Sequence, residues 1–139
     1  MKRKYCLIAN VILLAWFFLD MVGVYFKNNH LVTRSWRDDG IFFIIFLGAV
    51  ILFLLKENVG KYILIIWQSL WLLTQFISHE WYTIVGGGEE KIRFFEGSIK
   101  FINSDLRYIP DVYHIVLHIL ILVALISTII YSMKSKRYS

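Results

Sequence analysis

The apolar residues of this chain fall into four long runs, at 5–26, 41–55, 62–77 and 110–133, and most polar residues lie between them. Apolar content gathered into runs, rather than spread evenly, marks membrane spans. A typical hydrocarbon core takes about 20 helical residues. The first and last runs meet that length. The two middle runs are shorter and borrow flanking residues, with Lys56 and Lys61 reaching along their stems to the interface. Only the stretch 56–61 separates the middle runs, and helices joined so tightly lie side by side and antiparallel. A re-entrant hairpin that turns back inside the bilayer is the alternative. The pattern therefore predicts one all-α integral membrane domain over 1–139, a four-transmembrane-helix bundle.

The segment 78–109 is the one long stretch outside the runs. Gly86-Gly87-Gly88 breaks it, and no Lys-Ser or Lys-Thr pair follows to make a phosphate loop. Beyond the break, Ile92, Phe95, Ile99 and Ile102 recur at the spacing of one helix face. Glu89 and Glu90 at the start suit the positive end of a helix dipole. The expectation is a short amphipathic interfacial helix in the outer loop between the third and fourth spans. It serves as a lid, a docking surface or a plain connector. Pro110 then opens the fourth span at its first helical position, where a missing N–H costs nothing.

Composition agrees with the pattern. The hydrophobic share is 58% and the charged share 18%, against about 45–50% and about 25% in soluble domains. The net charge of +5 is a matter of orientation. Lys2, Arg3, Lys4, Lys56, Lys61, Lys134, Lys136 and Arg137 fall on one side with Glu57 as the one acid. On the other side, bases and acids nearly balance. The positive-inside rule then puts both termini in the cytoplasm and the 27–40 and 78–109 loops outside a cytoplasmic membrane of bacterial type. With the basic excess explained, nucleic acid is not an expected partner. The basic start and first apolar run resemble a signal peptide, but no small-x-small cleavage site follows, so the run reads as a retained span. Cys6 is the one cysteine, which excludes an internal disulfide and CxxC chemistry.

Candidate chemistry lies in a few polar residues, because an ionisable group in lipid is costly. Asp20 lies inside the first run, about six residues from its outer end by this count. Asp111, His114 and His118 share one face of the fourth span, and His79 and Glu80 end the third. Gln75 and Gln68 continue the face of His79. Imidazoles one turn apart, His114 and His118, suit one divalent metal ion, with His79, Asp20 or Glu80 as a third ligand. The plainer expectation is polar contacts between helices, His118 with Asp20 or His114 with Gln75. Trp71, with Trp67 one turn before it, packs helices or walls a pocket for a hydrophobic ligand. Three functions compete. One is a non-enzymatic accessory or ligand-binding component, using Gln68, Trp71, Gln75, His79 and Asp111 and partnered by lipid, protein or further copies of itself. Another is a membrane-embedded enzyme with catalytic His114, His118, Asp20 and Glu80, acting on a lipid-like substrate. The last is a small oligomeric transporter. By this expectation the inner halves of the first and fourth spans are plain hydrocarbon anchor.

Overall fold

The computed structural model describes residues 1–136; Arg137, one of the basic residues near the C-terminus, lies outside them. The chain is mostly helical. Its order is α1 (Arg3–Val22), a hairpin of β1 (Val24–Tyr25) and β2 (His30–Val32), α2 (Trp36–Leu55), α3 (Glu57–Ser78), α4 (Glu80–Val85), α5 (Glu89–Phe94) and α6 (Val112–Lys136). Helix α1 packs on α2 and α6, and α3 packs on the same two. The long helices thus form a closed ring, alternating in direction. The chain's beginning, the α2–α3 turn and the end of α6 share one end, called here the terminal end. The hairpin, α4 and α5 cover the other, the loop end.

Among the described residues, three helices are long and apolar enough to cross a membrane: α1, α2 and α6, with mean hydropathies of 2.1, 2.4 and 2.5. Only 33%, 28% and 44% of those apolar stretches is buried inside the protein. The rest, including Ile41, Leu55 and Ile119, faces outward, as a helix surface solvated by lipid does. Helix α3 has 22 residues but is less apolar, because Gln68, Thr74 and Gln75 interrupt its run.

Several boundaries differ from the pattern in the sequence. Helix α2 begins at Trp36, five residues before its apolar run, because Asp38 and Asp39 suit its first turn. Helix α1 stops at Val22, where Gly23 takes φ 76°, so Asp20 sits in the last turn and not well inside a span. Helix α6 begins at Val112 rather than Pro110. Asp111 precedes it, and the backbone N–H of His114 donates to Asp111 Oδ1 at 2.9 Å, an N-cap bond. The amphipathic helix expected over 89–102 ends at Phe94. Gly97 takes positive φ, and the chain pairs instead with β2: His30 N–H donates to Gly97 O and Ile99 N–H to His30 O. Backbone pairing thus outcompetes a helix whose second half is weakly formed, and Ile99 and Ile102 leave the face that holds Ile92.

The terminal end is tightly built. Gly60 touches Phe53 so closely that an added Cβ would lie 2.2 Å from Phe53 Cα. Arg3 donates to the carbonyls of Phe53 and Leu54, which α2 leaves free at its end, and pairs with Glu57 at 3.2 Å. Tyr131 donates to the same Glu57. Further in, Asn10 Nδ2 donates to Cys6 O and Thr128 Oγ1, while Gln68 Nε2 donates to Asn10 Oδ1. The inner parts of α1 and α6 are therefore not plain hydrocarbon. They carry a buried polar network that ties α1, α3 and α6.

Candidate functional site

At the loop end, four helices bring polar side chains to one place. Asp20 comes from the last turn of α1, Asp38 and Asp39 from the first turn of α2, His79 and Glu80 from the α3–α4 junction, and Asp111, His114 and His118 from the start of α6. Acids suit the N-terminal turns of α2 and α6, where the dipole favours negative charge. Asp20 is the exception, a buried carboxyl at a helix C-terminus with no basic residue in that turn. Its carboxyl and that of Asp39 lie within hydrogen-bonding reach of each other, and the Ser35 hydroxyl reaches Asp20. Two carboxyls so placed share a proton or repel each other.

The histidines form a second cluster beside this pair. The ring of His79 stacks on His114, with centroids 4.3 Å apart and planes 29° from parallel, and it lies 5.3 Å from His118. Each Nδ1 has an oxygen partner: Tyr108 for His79, Asp111 for His114 at 2.7 Å, and Glu80 for His118. His118 Nε2 faces Gln75 Oε1 at 3.0 Å. His79 is buried, and burial, with His114, His118 and Lys91 nearby, pushes its pKa down to about 2. Burial, with Asp111 and Glu80, pushes the Tyr108 phenol up. Burial also lowers Lys91, whose ammonium lies over the Tyr82 and Tyr108 rings.

Stacking turns the His79 and His114 faces, not their lone pairs, toward each other. Among the described residues, no three His, Cys, Asp or Glu side chains are arranged to hold a metal ion.

Two cavities meet at this cluster. One, of about 540 Å³, runs down between the helices: Phe17, Phe42, Trp67 and Trp71 wall its lower part, and Asp20, Asp39, Gln75, His79 and His114 its upper part. The other, of about 400 Å³, lies toward the loops beside Asp38, Asp111 and His30. Asp20, Asp39, Phe95 and His114 line both. Two polar atoms in the wall of the larger cavity are buried without a hydrogen-bond partner, the Tyr113 hydroxyl and Trp67 Nε1. Buried polar groups are ordinarily paired, so these two are spare hydrogen-bonding positions at the cavity.

The sequence candidates divide here. Asp20, Trp71, Gln75, His79, Glu80, Asp111, His114 and His118 all come to the loop-end cluster or its cavities. Gln68 does not: it is consumed by Asn10 in the terminal half. The expected partners also change. His118 meets Glu80 and Gln75 rather than Asp20, and His114 meets Asp111 rather than Gln75. Asp39, Tyr108, Tyr113 and Phe95 were not legible as site residues. Asp39 sits in a polar stretch ahead of an apolar run, and hydropathy marks only the run. Its fit to a helix first turn was the available signal. No protein-family model, no curated protein and no solved structure matches the chain.

Proposed function

We propose that this chain is a four-span protein of the cytoplasmic membrane, with both termini inside, that binds a lipid-like amphiphile at its outer end without transforming it. The single observation that carries this is the larger cavity. Its lower wall is aromatic and its upper wall is polar, matching a molecule with an apolar body and a polar head. Pockets of a few hundred Å³ with a few convergent polar groups are ordinary small-molecule sites. Helix α3 serves as the fourth span, with Gln75 turned to the cavity and Gln68 to Asn10 while Ile63, Ile66, Leu73 and Ile77 face outward to lipid. The apolar outward faces make the bilayer the primary partner. A protein partner or a second copy would act through the loops above the cavity.

Native mass spectrometry of protein released from membranes tests this. The expected spectrum shows a co-bound amphiphile on the wild type. Thr74→Trp, which places bulk in the cavity wall, removes it while the protein elutes normally. Wild type that sheds every adduct and binds no added amphiphile contradicts the proposal.

A second reading, an enzyme acting on the same kind of molecule, is favoured by one observation. Asp111 fixes His114 through Nδ1 and leaves Nε2 for a proton transfer at the cavity wall, which is how a general base is oriented. Under it, the recovered adduct would be a substrate–product mixture that His114→Gln freezes as substrate.

A further inference from the structure

Charge in the two cavities is one-sided. Asp20 and Asp39 line both, Asp38 and Asp111 line the smaller one, and among the described residues no Lys or Arg lines either. Asp111 already has a partner in His114, at 2.7 Å. The base near the Asp20–Asp39 pair is His114, already held by Asp111. Two carboxyls in reach of each other share a proton or repel, and a cation beside them would let both carry charge.

The wall next to that pair is aromatic and continuous. Phe17 lies against Trp71 with centroids 4.7 Å apart, Trp71 lies 6.4 Å from Trp67, and Trp67 lies 5.9 Å from Phe42. Aromatic faces attract organic cations, most strongly when water is excluded. They offer little to a bare metal ion, which takes oxygen or nitrogen donors. The buried Tyr113 hydroxyl, with no partner and no exposed surface, belongs to the same wall. It is a spare polar contact where a bound head would sit.

We infer that the head of the bound amphiphile is an organic cation, a quaternary or protonated amine, seated between the Asp20–Asp39 carboxyl pair and the aromatic wall of Phe17, Phe42, Trp67 and Trp71. The inference rests on the amphiphile-binding reading and adds the chemistry of the head. The carboxyls supply the counter-charge and the rings solvate the alkyl groups on nitrogen. An anionic head would meet two carboxyls and no Lys or Arg, and the site rejects it. A neutral head keeps the aromatic contacts but gives the carboxyl pair no counter-charge.

The test uses the full chain in neutral detergent and three probes with one common alkyl chain. Their heads are trimethylammonium, its uncharged tert-butyl isostere, and sulfate. Binding is read by calorimetry. The expected result is an affinity for the ammonium probe at least about tenfold above that for the isostere, with no measurable binding of the sulfate. In the Asp20→Asn/Asp39→Asn double variant, which keeps both shapes, ammonium and isostere bind within about threefold of each other. Equal affinity for ammonium and isostere in the wild type overturns the cationic head and leaves the amphiphile site standing. So does a preference that survives in the double variant. Failure of all three probes to bind removes the site itself. The wild-type comparison needs no variant to fold, so the head assignment stays testable if the double variant does not accumulate.

Discussion

The terminal half and the loop half of this molecule treat buried polar groups differently. In the terminal half, Cys6, Asn10, Gln68 and Thr128 form a network joining three helices, with Gln68 Oε1 left over, and Arg3, Glu57 and Tyr131 close the end. These bonds lie where the helices pack tightly, as at Gly60. In the loop half, two acids face each other, a phenol and an indole N–H lie unpaired, and cavities remain between the helices. The lesson is that polarity inside an apolar bundle has two meanings. Groups satisfied by one another specify which helices pack and in what register. Groups left unsatisfied around a void cost stability and are kept for something that enters it.

The sharpest way to break this contrast is at Gly60. Gly60→Ala drives a methyl into the α2 backbone and is expected to cost about 3 kcal/mol or to abolish accumulation, read by yield and thermal unfolding in detergent. Normal stability would mean that the terminal half is less rigid than its contacts imply.

Acid should strike the other half. Buried His79 is neutral in the folded chain, with its pKa pushed down to about 2 from an ordinary 6.5. Below pH 6.5 the unfolded chain binds the proton and the folded chain does not, so stability falls with falling pH. It is complete above 6.5 and lost progressively toward about 2. Unfolding measured at pH 7.5 and 4.5 should differ by about 3 kcal/mol from this residue, and His79→Gln should flatten that part of the dependence.

Asn10→Leu orphans the Gln68 amide and should cost about 1–3 kcal/mol while leaving amphiphile binding unchanged. Asp20→Asn should do the reverse and by less. It replaces a carboxyl at a helix C-terminus, beside that of Asp39, with an amide of the same shape, so stability rises by at most about 1 kcal/mol while binding weakens. If both variants shifted stability in the same direction, the two halves would not differ in kind.

Much of the fold was legible because hydrocarbon length is a blunt requirement. The runs around Leu13, Phe46, Leu64 and Ile121 mark the long helices wherever their ends fall. The ends were less legible, since Asp39 and Glu57 enter helices as first-turn acids, a dipole effect that hydropathy does not register. The loop end was legible residue by residue but not pair by pair. The spacing of Asp111, His114 and His118 put them on one face of α6. It could not say that Asp111 would turn to His114, or that Glu80 would reach His118, because those partners are set by how α3, α4 and α6 dock. Gln68 shows the limit most clearly: helical spacing sets it on one face with Gln75, yet seven residues of rise carry it from the cavity to Asn10. The hairpin of β1 and β2 had no signal beyond a polar stretch, and its pairing with 97–99 is what ended the expected amphipathic helix.

The central claim is that the void between the aromatic wall and the Asp20–Asp39 pair holds an amphiphile, and Trp71 reports on it directly. Trp71 is buried, at 6% exposure, and lines the larger cavity. With the other four tryptophans replaced by Phe, its fluorescence should be quenched by an amphiphile carrying a nitroxide near its head. The quenching should saturate with probe concentration and be relieved by an unlabelled competitor. Quenching that rises linearly without saturating, or that no competitor relieves, would mean that the probe reaches Trp71 only as bulk lipid does and that the cavity is not a binding site.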